Sequence, residues 1–82
     1  MSERKDSGTS ATIYVQLLDE GVFVLRPTEG HRLYGNVFRV LPTSDYDAAV
    51  ETWQFEPGSK VECLLEDHEG EQLLVAKRQV GN

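Results

Sequence analysis

From Thr12 onward, apolar and polar residues alternate in short runs closed by Gly, Pro, Asn or Asp, the period of two that belongs to half-buried strands. TIYVQLL (12–18) places Ile13, Val15 and Leu17 on one face and Tyr14 and Gln16 on the other. DEG (19–21) reads as a hairpin loop in which Gly21 supplies a positive φ. VFVLRP (22–27) follows, and Pro27, which has no N–H to donate, is expected to end that ladder or mark its edge. HRLY (31–34) and VFRVL (37–41) flank Gly35-Asn36, a pair suited to a tight hairpin turn.

PTSDYDAAV (42–50) breaks the alternation. Ser44 is expected to cap at most one helical turn near 43–50, with Asp45 and Asp47 at its positive end. Nine residues are too few for a self-supporting helix. ETWQF then predicts a strand, EPGS a turn, KVECLLE a strand, DHEGE a turn and QLLVAKR a last strand. In WQFEPGSKVEC (53–63), Trp53 and Phe55 share one face, and Val61, Cys63 and Leu65 share another. Pro57 presets the second position of a type II turn, and Gly58 accepts the positive φ required next. Such a turn does not match strand twist, so its flanking strands should splay, as at the rim of a small barrel.

Five to seven short strands with frequent turns define an all-β fold, a small antiparallel SH3-like barrel, with a five-stranded OB-type barrel as the alternative. Eighty-two residues make a single domain. MSERKDSGTSA (1–11) carries four charges and no apolar period, so it is expected to be a disordered leader. The domain is expected over 12–78, with 79–82 a flexible C-terminus. Such a domain buries roughly 60% of its unfolded surface, which makes its stability marginal.

Net charge is −6, and its distribution matters more than its sum. Between Glu51 and Glu71 stand seven acids and one base, Lys60. Phosphate backbones are held by clustered Lys and Arg, so nucleic acid is disfavoured. An RNA- or ribosome-associated barrel would need Arg26, Arg32 and Arg39 on one face. A lone Cys63 excludes an internal disulfide, and no run is apolar enough for a membrane span. A cytoplasmic location is the expectation.

Enzymatic chemistry finds no framework. GHRLYG (30–35) imitates half of a phosphate loop, but Asn36 and Val37 stand where Lys and Ser or Thr are needed. DYD (45–47) begins like a calcium loop, yet Val50 occupies the position that requires Gly. His31, His68 and Cys63 lie in different elements without metal-ligand spacing, so no metal site is expected. Cys63 alternates with Val61 and Leu65, which predicts a buried, unreactive thiol.

From Ile13 to about Ala76 the chain resembles a group of short, uncharacterised bacterial proteins. The resemblance rests on IYVQLLDEG (13–21), Arg26-Pro27, Phe38-Arg39 and WQFEPG (53–58) before a strand. Relatives carry an aromatic residue before the Arg-Pro pair, where this chain has Leu25. The resemblance implies a bacterial cytoplasmic single domain, and it carries over no activity, cofactor or catalytic residue.

What remains is surface. VFVL (22–25), Leu64-Leu65 and Leu73-Leu74 supply more apolar positions than one small interior holds. The expectation is a non-enzymatic protein-interaction module binding a basic protein partner through an acidic and apolar surface. Glu62, Leu64 and Glu66 form its outward face, and Tyr14, Tyr34 and Tyr46 rim it. Trp53, Phe55, Pro57, Gly58 and Cys63 are assigned structural roles. A small ligand bound in a pocket near Trp53 is a further alternative, and a homodimer is compatible with the apolar excess.

Overall fold

The computed structural model describes residues 9–81. These form an all-β structure with six strands: β1 (Ser10–Leu18), β2 (Val24–Tyr34), β3 (Val37–Val40), β4 (Thr52–Trp53), β5 (Lys60–His68) and β6 (Glu71–Gln79). Strands β1, β2, β3, β5 and β6 follow one another round a ring. Neighbours are antiparallel except at the closure, where β1 and β6 are parallel and paired through Tyr14 and Val75. β4 adds to the end of β1, with Leu17 opposite Trp53 and Leu18 opposite Thr52.

The alternating positions fill the ring. Ile13, Val15 and Leu17 from β1, Phe38 and Val40 from β3, Val61 and Cys63 from β5 and Ala76 from β6 form one core with Trp53 and Phe55. Each large apolar side chain so buried contributes about 1.5–3 kcal/mol. At Gly30 the strands approach so closely that a Cβ would stand 2.8 Å from Ile13 Cδ1. Any side chain at this position of β2 would have to displace Ile13 in the core.

Several expectations are corrected. The segments expected as two strands, 22–27 and 31–34, form the single eleven-residue β2, which runs through Pro27 opposite Tyr14. β3 pairs β2 only over Gly30–Tyr34, so Pro27 faces no strand on one side and its missing N–H is tolerated. The strand expected over 51–55 shrinks to β4, which pairs with β1 and not with β5. Pro57-Gly58 does turn as expected: Gly58 has φ 97° and Ser59 N–H donates to Glu56 O at 3.0 Å. Its flanking segments splay completely, because β5 takes β3 and β6 as neighbours.

No helix forms in 43–50. Two turns form instead: Tyr46 N–H donates to Thr43 O at 3.1 Å, and the second turn is capped by Asp47 in place of Ser44, with Asp47 Oδ1 accepting from Ala49 N–H at 2.9 Å and Asp47 O accepting from Val50 and Glu51. β1 begins at Ser10, so Ser10 and Ala11 of the expected leader are paired with His31 and Gly30. Residues 1–8 lie outside the described residues. At the other end Gln79 pairs with Val61 and Val80 N–H donates to Lys60 O at 2.8 Å, so these residues belong to the sheet and not to a loose tail. Asn82 is outside the described residues.

Candidate functional site

Residues directly opposite one another in paired strands point to the same face. The pairings of Pro27 with Tyr14, Tyr14 with Val75, and Val75 with Leu64 therefore draw one row across the outside of β2, β1, β6 and β5. Val75 is buried within this row, whereas Leu64 is 47% exposed. Glu62 and Glu66 flank Leu64 on the same face of β5. Tyr14, Glu62, Leu64 and Glu66 are thus brought together.

Tyr34 and Tyr46 are not part of this row. Tyr34 is exposed where β2 turns into β3. Tyr46 packs its ring against Trp53, with centroids 4.8 Å apart and planes at 74°. Trp53 itself is 3% exposed, and its Nε1–H donates to Glu51 Oε1 at 2.7 Å. The indole is thus packed inside rather than open to a ligand, and a shallow depression elsewhere on the surface is lined by Ser10, Ala11, Thr12 and Glu29.

The two carboxylates of the row are already partnered. Arg78 Nε donates to Glu62 Oε1 at 2.5 Å, and Lys77 Nζ lies 2.5 Å from Glu66 Oε2. His68 Nε2 stands 3.0 Å from Glu66 Oε1. Lys77 first, then His68, hold the Glu66 carboxyl below its ordinary range. Sequence reasoning missed Lys77 and Arg78, since the charge count stopped at Glu71 while β6 lies directly against β5. The unneutralised charge sits further out: Asp67, Glu69 and Glu71 are exposed around the β5–β6 turn and form no ion pair among the described residues.

Leu65 corrects another expectation. It shares the parity of Val61 and Cys63 but is 65% exposed, because β5 and β6 extend past the core as a projecting hairpin. Beside the turn, the Phe23 ring stacks on His68 at 6.1 Å, and Phe23 is 62% exposed. Cys63 is buried, and burial first, then the neighbouring Glu62, push its thiol up to about 11.

The three arginines of the RNA reading do not share a face. Arg26 lies opposite core residue Val15 and reaches across the ring mouth to Asp45 Oδ1 at 2.7 Å. Arg32 lies opposite Phe38 and stacks over that ring at 5.3 Å. Arg39 is on the opposite face, in one row with His31 and Lys60. Among the described residues no group of His, Cys, Asp and Glu could hold a metal ion. No helix among the described residues is long and apolar enough to cross a membrane. Compared with family models, curated proteins and solved structures, the chain matches none.

Proposed function

We propose that the ring is a small SH3-like barrel and that the protein is a cytoplasmic, non-enzymatic interaction module for a basic protein partner. Successive hairpins β1–β2–β3 and the β5–β6 hairpin that closes them support the fold reading. The observation that carries the function is the half-exposed Leu64, continuous with buried Val75 and Tyr14 and set between Glu62 and Glu66. An apolar centre with a charged rim is the anatomy of a protein interface. Asp67, Glu69 and Glu71 extend the negative field toward the hairpin tip and favour approach of a basic surface. The free, buried Cys63 accords with a reducing compartment.

The test uses the basic partner that co-purifies with the chain. The E62Q/E66Q variant should slow association several-fold while keeping the fold, since it removes the negative charge without setting lysines against Arg78 and Lys77. Leu64→Ala should speed dissociation. If neither change alters binding, this face is not the interface.

A further inference from the structure

The β5–β6 hairpin has one unpaired side. β3 accompanies β5 only from Lys60 to Glu62, and the last contact on that side is made by the β2–β3 turn. There Cys63 N–H donates to Asn36 O at 2.8 Å and Asn36 Nδ2 donates to Cys63 O at 3.0 Å. Beyond Cys63, β5 continues to His68 with β6 on one side and, among the described residues, no strand on the other.

The direction of each backbone group follows from the bonds already made. Ser59 O accepts from Val40 N–H and Cys63 N–H reaches Asn36, so these residues face the β3 side, whereas Lys60 O accepts from Val80 N–H on the β6 side. Alternation then turns the N–H and C=O of Leu65 and Asp67 outward along the open edge. A strand edge of this kind is a template for another chain unless it is blocked or covered. The equivalent open side of β2 is covered: Leu41 N–H donates to Glu29 O, Thr28 Oγ1 donates to Leu41 O, and Arg26 ties down Asp45.

We infer that the open edge of β5 from Leu64 to His68 receives an extended basic segment of the partner as an added strand. This inference rests on the interaction-module reading above and specifies how the partner engages. Opposite residues share a face, so the added strand meets Leu64 and Glu66 on one side and Leu65 and Asp67 on the other. The complementary segment therefore carries two apolar residues beside two basic ones. Asp67, Glu69 and Glu71, which form no ion pair among the described residues, supply the attraction. A second copy of this chain is a poor occupant. Antiparallel self-pairing must join outward residues to outward ones: centred on Glu66 it sets Glu66 against Glu66 and Leu65 against Asp67, and centred on Leu65 it sets Leu64 against Glu66 and calls on Cys63, whose N–H and C=O are already bonded to Asn36.

The test is amide hydrogen exchange and NMR titration of the full chain with a synthetic peptide repeating Lys-Lys-Val-Val three times. Binding should weaken with added salt and slow exchange at the Leu65 and Asp67 amides at least about tenfold at saturation. The same peptide N-methylated at alternate residues should lose binding, because it cannot complete the ladder. Asp67→Pro removes an outward N–H without touching the β6 ladder and should abolish binding, while Asp67→Asn should retain most of it. If the peptide binds and perturbs Glu62, Leu64 and Glu66 but leaves Leu65 and Asp67 unprotected, strand addition is overturned and the interaction-module reading survives. No binding at millimolar peptide overturns both. Protection of Leu65 that rises with protein concentration alone would assign the edge to a second copy and overturn the proposed occupant.

Discussion

The indole N–H of Trp53 donates to the Glu51 carboxylate, and the accepting oxygen also lies 3.5 Å from Arg26 Nε. Arg26 Nε is buried without a hydrogen bond of its own, so Glu51 is its electrostatic partner. Arg26 of β2 and Trp53 of β4 are thereby joined through one carboxylate at the end of the 42–51 segment, which covers the core there through Tyr46. The Trp-x-Phe stretch packs into the mouth of the ring and does not form an aromatic floor for a ligand.

Trp53→Ala should cost about 3–5 kcal/mol, the range for removing a fully buried aromatic side chain. Trp53→Phe should cost less, roughly 1–3 kcal/mol, since it keeps most of the packing but leaves Glu51 without its donor. Urea unfolding of the two variants checks the order; a Trp53→Ala protein as stable as wild type would contradict burial of the ring.

The Arg26–Asp45 contact should make the cover acid-sensitive. The Thr43 side chain first, then Arg26, hold the Asp45 carboxyl below its ordinary 3.8. A depressed folded-state pKa contributes stability above the unfolded value, and that contribution is lost as pH falls through the folded one. Arg26→Met should therefore be less stable than wild type at neutral pH, with the gap narrowing below about pH 3.8. Carboxyl NMR titration should show Asp45 moving back toward its ordinary value in Arg26→Met and in Thr43→Val.

Gly30→Ala should destabilise by about 1–3 kcal/mol, because the new methyl group overlaps Ile13. The clash lies with a core side chain, so Ile13→Ala in the same chain should relieve part of it. A double-mutant cycle by thermal unfolding should give a favourable coupling, and additive losses would place the strain elsewhere.

Native Cys63 should resist alkylation. With its thiol at about 11 the thiolate fraction at pH 8 is about one thousandth, and the sulfur is enclosed by the core. Iodoacetamide labelling should follow opening of the domain and accelerate steeply with urea. Fast labelling in buffer would mean that β5 is turned the other way.

The alternation of Ile13, Val15 and Leu17 and of Val61 and Cys63 made the interior readable, as did Gly35-Asn36 and Pro57-Gly58 for the turns. What the pattern could not convey was the reach of each strand relative to its neighbours. Pro27 read as a stop because its one unpaired side is a property of β3 ending at Val40, many residues away. Leu65 read as core because parity says which way a side chain points, and nothing local says that the sheet has outrun its packing there. The same long-range ignorance hid the site. Glu62 and Glu66 looked like free acids until β6 placed Arg78 and Lys77 beside them. Arg26 looked like a surface charge although it faces Val15.

The ring closes at a single parallel pairing, Tyr14 with Val75, between strands from opposite ends of the chain. Every other junction of the ring is laced by several consecutive pairs, so this seam is the joint with the least to hold it. Its formation must await the ordering of nearly the whole intervening chain, whose closure entropy no local contact offsets. The ring should therefore close last at Tyr14 and Val75 and part there first. Amides along that joint should exchange through fluctuations well below the global unfolding energy, while the paired centre of the β1–β2 hairpin should exchange only through the whole.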